Sequence, residues 1–185
     1  MWDKDWSESY KSEDSLNHPH RQLILEAISR YEPIESVFEI GCGAGANLKL
    51  LNHIYPEIRL YGYDISKQAM KSALLYFSDL PGRFLDYSDE DIFCKADIFL
   101  TDAVAVYVSD KNIKSFVERF SGLAIKAIIL CEWHSEEGSF IKDGHWVHNY
   151  KELLPGCKIE KIPPEAWPES KNWQEYGNII QYETS

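Results

Sequence analysis

The run FEIGCGAGANL, from Phe38 to Leu48, constrains this chain more than any other stretch. Glycines alternate at Gly41, Gly43 and Gly45 directly behind an apolar run that ends at Ile40. A glycine turn between a strand and a helix lets backbone N–H groups approach a ligand, and the start of the helix adds positive potential. A nucleotide-like ligand is therefore expected here. The run fits a loose dinucleotide fingerprint, with Ala46 in place of the last glycine. It also fits a tighter acid-x-G-x-G-x-G pattern, and the two imply different chemistry.

The surroundings separate them. Glu39 lies two residues before Gly41, at the end of the strand and facing the ligand cleft. A carboxylate there repels a pyrophosphate but favours a ligand carrying an ammonium and a sulfonium. Asp64 ends the next strand, in YGYDIS, where it can accept hydrogen bonds from both ribose hydroxyls. That feature suits either ligand. A chain of 185 residues leaves no room for the substrate domain usual in nicotinamide dehydrogenases.

Strands and helices alternate along most of the chain. HPHRQLILEAISRY carries Leu23, Ile24, Ala27, Ile28 and Tyr31 at helical spacing and is stopped by Pro33. SVFEI reads as a buried strand, and the helix after the glycine turn carries Leu48, Leu50, Leu51 and Ile54. IRLYGYDI is a strand, followed by a helix with Ser66 as N-cap that runs to about Phe77. A short strand surrounds Phe84 and Leu85. ADIFLTDAVAVYV reads as an apolar strand with an extended continuation, then a helix over Lys111–Phe120, then the strand KAIILCEWH. Near the end, CKIEKIP and YGNIIQYET alternate apolar and polar residues, with loop chemistry between them, and should pair antiparallel. The expected fold is α/β: a doubly wound, mostly parallel seven-strand sheet with helices on both faces and a C-terminal antiparallel hairpin. Residues 1–17 are expected to form an arm or lid and residues 18–185 one domain.

This architecture and the pair EIGCGAGANL and YGYDIS resemble the class I S-adenosylmethionine-dependent methyltransferases, from about Val37 to the C-terminus. The resemblance implies S-adenosylmethionine as cofactor, with Glu39 near its ammonium group and Gly41 and Gly43 admitting its methionine part. Gly45 belongs to the same turn, Asp64 would bind the ribose, and Ile65 lies beside it. The adenine amino group would be met by an acid after the third strand: Asp86, with Asp89 and Asp91 as alternatives. Asp102 and Ala103 would line the methyl-donor end. The implied function is methyl transfer to a small-molecule acceptor. The alternatives are a non-catalytic cofactor-binding protein and, further off, an NAD-dependent oxidoreductase.

Charge agrees with a small acceptor. The net charge is −11 and no cluster of Lys and Arg occurs, which disfavours a phosphate backbone as partner. The Asn/Asp-Pro-Pro-Tyr motif of amino-methylating nucleic-acid enzymes is absent. No apolar run approaches the ~18–20 residues of a membrane span. The acidic start is unlike a secretory signal, and Cys42, Cys94, Cys131 and Cys157 lack any C-x-x-C pairing. A cytoplasmic setting with reduced thiols is expected.

A base is needed only where the acceptor must lose a proton. His134, in CEWHS, is the candidate, against a plain loop histidine. Tyr10, Tyr107, Trp133 and Glu132 are candidate walls of the acceptor pocket, Glu132 also reading as a core-edge carboxylate. Tyr10, His18, His20 and Arg21 are lid candidates. HWVHNY reads as the start of a helix, with His148 or Asn149 before YKELL. A zinc site from Cys131, His134, His145 and His148 is disfavoured by spacing.

Overall fold

The computed structural model describes residues 16–78, the backbone of 84–86, and residues 94–184; Tyr76 is described by its backbone alone. A seven-stranded sheet runs in the order β3-β2-β1-β4-β5-β9-β8. Its strands are β1 Ser36–Ile40, β2 Arg59–Tyr63, β3 Phe84–Asp86, β4 Ala96–Asp102, β5 Ala124–Trp133, β8 Lys158–Lys161 and β9 Gly177–Glu183. Strands β3, β2, β1, β4 and β5 pair parallel, whereas β9 is antiparallel to both β5 and β8.

Helices cover both faces, which is why β1 is buried along its whole length. On one face α1 (Pro19–Ser29), α2 (Ala46–Ile54) and α3 (Lys67–Tyr76) set Ile24, Ile28, Leu48, Leu51, Met70 and Ala73 against Val37, Leu60, Ile98 and Ile129. On the other, α4 (Asp110–Ser121) and α5 (Tyr150–Leu153) set Ile113, Val117, Phe120 and Tyr150 against Phe38, Phe99, Ile128 and Ile180. Neighbouring strand residues such as Val37 and Phe38 thus serve opposite cores, as the two-residue strand period requires. Helix α3 begins as the sequence predicts: Ser66 Oγ accepts from the Ala69 N–H.

Three segments depart from expectation. TDAVAVYV does not continue as extended chain. Strand β4 stops at Asp102, Ala103 takes φ 58°, and a 3-10 turn follows over Ala105–Tyr107. HWVHNY is not simply a helix start, because His145–Val147 forms β7, antiparallel to β6 (Phe140–Lys142). The connection is Asp143-Gly144, both at positive φ. Asn149 does cap α5, its side chain accepting from the Lys151 N–H. Finally, the segment between β8 and β9 contains a 3-10 turn, Pro164–Ala166, and a short helix α6, Lys171–Tyr176, capped by Ser170. Among the described residues no helix is long and apolar enough to cross a membrane.

Candidate functional site

Parallel pairing brings the ends of β1, β2, β3 and β4 to one edge, so Gly41, Asp64, Asp86 and Asp102 gather there despite their separation in sequence. The glycine turn is tied to β2. The N–H groups of Gly41 and Cys42 both donate to the Tyr63 carbonyl, at 2.6 and 3.0 Å. Asp64 completes the tie: Oδ2 accepts from the Gly43 N–H at 2.9 Å and Oδ1 from the Ser66 N–H at 2.8 Å. Each carboxylate oxygen keeps acceptor capacity for a further donor. Geometry dictates the glycines of this turn, all three of which take positive φ. Gly41 has φ 71°, and a Cβ there would lie 2.2 Å from Val104 Cγ2. Gly43 has φ 55° and open space where its Cβ would be, so the turn is bare on that side. Ile65, next to Asp64, is 65 % exposed, an apolar side chain left at the open rim. The Asp86 side chain, Asp89, Asp91 and Tyr10 lie outside the described residues.

Behind the turn sits a buried charged cluster. Asn47, on α2, donates through Nδ2 to Glu39 Oε1 at 2.7 Å and to Asp102 Oδ2 at 3.0 Å. Arg21, on α1, donates to Asn47 Oδ1 and, at 3.1 Å, to Asp102 Oδ2. His20 Nε2 donates to the same Asp102 oxygen at 3.0 Å. The partner oxygens, Glu39 Oε2 and Asp102 Oδ1, are buried without a hydrogen-bond partner. Burial pushes the Glu39 carboxyl up to about 8, against the lowering effect of Asn47. Burial alone would raise Asp102 too, but His20, Arg21 and Asn47 hold it well below the usual carboxylate range. The two acids thus differ in charge at neutral pH.

His18 Nε2 donates to Glu169 Oε1 at 2.8 Å, and His18 Nδ1 meets His20 Nδ1. Burial lowers the His20 pKa against the raising effect of Asp102. Trp167 stacks on His20 at 4.2 Å and on Trp173 at 4.0 Å. Trp173 in turn meets Trp133 edge-on at 5.9 Å.

That aromatic series leads into a cleft of 270 Å³ past the ends of β4 and β5. Its walls include Ala103, Tyr107, Trp133, His145, Asn172 and Trp173. The His145 ring packs edge-on against Tyr107 at 5.0 Å and Trp133 at 5.5 Å. Its Nδ1–H donates to the Asp143 carbonyl at 3.1 Å, which leaves Nε2 as the unprotonated nitrogen of the neutral ring. Ala103 belongs to this cleft and directly follows Asp102, so the cleft adjoins the charged cluster.

Of the candidates in and around β5, Trp133 and Tyr107 reach the cleft, and Glu132 and His134 do not. Glu132 is fully buried and accepts from Thr101 Oγ1 at 2.7 Å and from the Val104 and Val106 N–H groups at 2.8 and 3.3 Å. It holds the turn after β4 as a core carboxylate, and burial raises it to about 7 against those donors. His134 faces α5, where its Nδ1 lies 3.2 Å from both the Tyr150 N–H and the His148 carbonyl, accepting from the first in one tautomer and donating to the second in the other; desolvation lowers its pKa. It does for the first turn of α5 what an N-cap does. His148 is buried, with Nε2 donating to the Ala105 and Val108 carbonyls at 3.2 and 3.0 Å. Sequence reasoning missed His145, Trp173 and Asn172 as cleft residues, although Asp143-Gly144 carries a hairpin signal that places His145.

A family model described as the O-methyltransferase domain matches residues 3–132. The chain belongs to that family. The likeness to class I S-adenosylmethionine-dependent methyltransferases read from the glycine turn therefore holds. A curated relative, the malonyl-[acyl-carrier protein] O-methyltransferase of Anoxybacillus flavithermus, is 26 % identical over 106 residues, 56 % of this chain and 41 % of that protein. The chain thus spans less than half the length of that relative. Magnesium protoporphyrin IX methyltransferase from Synechocystis PCC 6803, solved with bound S-adenosylmethionine, superposes with a TM-score of 0.70 at 16 % identity, covering 98 % of this chain and 90 % of that one. An S-adenosylmethionine-dependent methyltransferase from Aquifex aeolicus superposes with a TM-score of 0.68 at 14 % identity, covering 100 % of both chains. At such identities the likeness is one of fold.

Proposed function

We propose that this chain is an S-adenosylmethionine-dependent O-methyltransferase acting on a small-molecule acceptor held in the cleft beyond β4 and β5. The observation that carries the reading is the pair of buried, unpartnered carboxylate oxygens, Glu39 Oε2 and Asp102 Oδ1, set behind the glycine turn. Asp102 Oδ1 is a buried acceptor left without a donor, and Glu39 Oε2 becomes one when its carboxyl ionises; such acceptors call for a donor from outside, and an ammonium group supplies one. A pyrophosphate would leave both oxygens unsatisfied and add repulsion. When bound, the cofactor supplies an electrophilic methyl group on a sulfonium, whose transfer leaves a neutral thioether.

The residues of this chain have separable parts in that chemistry. Glu39, Asp102 and the Asn47 amide between them fix the amino-acid end. Asp64 offers its spare acceptor capacity to the ribose hydroxyls while holding the glycine turn to β2. Ile65 is an exposed apolar surface for the adenine to cover. Ala103 and the aromatic walls orient the acceptor toward the donor end and exclude water, which is most of what an in-line displacement requires. His145 Nε2 is the nitrogen available to take the acceptor proton. The net charge of −11, and the lack of any Lys or Arg among the described cleft residues, favour a small molecule over nucleic acid.

Calorimetry with S-adenosylmethionine, S-adenosylhomocysteine and NAD tests the donor. The first two are expected to bind and NAD is not; tight NAD binding with no response to the others refutes the reading. Conversion of S-adenosylmethionine to S-adenosylhomocysteine across an acceptor panel then separates an enzyme from a silent binder.

A further inference from the structure

Resting on the methyltransferase reading, we propose that the acceptor cleft selects an organic cation, a small molecule bearing an ammonium group. Three aromatic side chains, Tyr107, Trp133 and Trp173, border one cavity together with the His145 ring, and the charged side chain among the lining residues is acidic, Asp143. Aromatic faces attract a cation through their quadrupole, most strongly when it is desolvated against indole. Trp133 and Trp173 are largely covered by protein, at 5 % and 7 % exposure, and meet the cavity with the little surface that remains open, whereas Tyr107 is 53 % exposed.

Asp143 adds the complementary charge. It sits at the tip of the β6–β7 hairpin with φ 48°, and its Oδ2 accepts from Asn172 Nδ2 at 2.8 Å. Asn172 is neutral and orients the carboxylate without cancelling its charge. Among the described cleft residues no Lys or Arg offers an anion a partner. An acceptor presenting a free carboxylate would therefore meet the like charge of Asp143 with no cation to offset it. The cavity of 270 Å³ suits a compact group.

Binding to the full chain, measured by tryptophan fluorescence and calorimetry in the presence of S-adenosylhomocysteine, tests this with three probes of one shape. Choline carries the cation, 3,3-dimethyl-1-butanol is its neutral isostere, and 3,3-dimethylbutanoate carries an anion. Choline is expected to bind about tenfold or more tightly than the neutral alcohol, and the carboxylate to bind most weakly. Asp143→Asn, on an exposed turn where folding is not at stake, and Trp173→Phe, which keeps a ring in place, should each reduce the choline preference severalfold. Equal affinity for choline and the alcohol, preference for the carboxylate, or no choline binding at tens of millimolar overturns the proposal. Titration of S-adenosylhomocysteine alone keeps the two readings apart. Its failure to bind refutes the donor assignment, whereas its binding without cation preference refutes only the acceptor class.

Discussion

Glu39 makes the donor site sensitive to pH in a calculable way. Its carboxyl is pushed up to about 8 from an ordinary 4.5 by burial, so at pH 7 only about a tenth of the free protein has it ionised. An ammonium group at Glu39 Oε2 binds the ionised form. Binding at pH 7 should therefore release about 0.8 proton net per site, about 0.9 from Glu39 less the ~0.1–0.2 taken up by the α-amino group, and apparent affinity should rise several-fold per pH unit between pH 6 and 7.5. The gain levels off near pH 8, where a free α-amino group, at about 7.7–8.0, begins to lose its own proton. Calorimetry at pH 7 in phosphate and in Tris measures the release directly, because the two buffers take up protons with different enthalpies.

The same group has a defined effect on the unliganded fold. Its pKa is raised in the folded state, so the folded chain binds the proton more tightly than the unfolded one. Its contribution to stability is complete below about 4.5 and declines as pH rises toward about 8. Bound cofactor should offset that decline, and the thermal shift it produces should grow over the same interval. Glu132, raised to about 7 by burial, adds a parallel decline with no link to the ligand. Glu39→Gln separates the two: it should flatten the pH dependence of affinity and cost about 1.5–3 kcal/mol of binding at pH 8, the worth of a hydrogen bond to a charged group. A flat affinity profile in the unaltered protein, with no net proton release, refutes the placement of a cation at Glu39.

Other substitutions address the remaining parts. Asp64→Ala should weaken S-adenosylhomocysteine binding by about 10–100-fold, since it removes a charged acceptor and frees the Gly43 and Ser66 N–H groups; unchanged affinity in calorimetry contradicts the ribose role. Gly41→Ala places a Cβ 2.2 Å from Val104 Cγ2 and should cost about 1–3 kcal/mol in denaturant unfolding. Val104→Ala in the same chain should recover part of that loss, and its failure to do so would assign the cost to φ alone. His134→Ala should keep turnover while losing about 1 kcal/mol of stability, because it removes an acceptor from the start of α5; lost turnover with unchanged melting would make it a catalytic group after all. Arg21→Gln should destabilise the fold by about 3–5 kcal/mol, because it withdraws the permanent positive charge from buried Asp102. A change below 1 kcal/mol would show that His20 and Asn47 suffice.

The glycine-turn half of the candidate site is legible in the sequence because its signals are local. A strand, a glycine turn and a helix follow one another within Ser36–Ile54, and parallel pairing then carries the next strand end, with Asp64, to the same edge. What the sequence hides is what happens to each acid once it arrives. Glu39, Asp102 and Glu132 look alike at the ends of apolar strands, yet their partners come from far away. Arg21 and His20 reach Asp102 from α1, and the N–H groups that occupy Glu132 belong to a turn that reads as extended chain. No local pattern encodes those choices.

The acceptor half is harder to read for a related reason. Trp133, Tyr107, His145 and Trp173 lie on four separate elements, and β6 and β7 are three residues long, too short to show a period. Their meeting depends on the φ reversal at Ala103 and on the insertion of β9 between β5 and β8, which carries α6 and Trp173 to the cleft. Glu132 connects the two halves physically. By taking up the N–H groups of Val104 and Val106 it turns the chain out of β4, leaving Asp102 in the charged cluster and Ala103 in the cleft. In the function proposed above, this buried carboxylate would set where donor and acceptor face each other. Its replacement by Gln should change the acceptor KM and turnover more than affinity for S-adenosylhomocysteine. The reverse pattern, affinity lost and KM kept, would place its influence on the glycine turn instead.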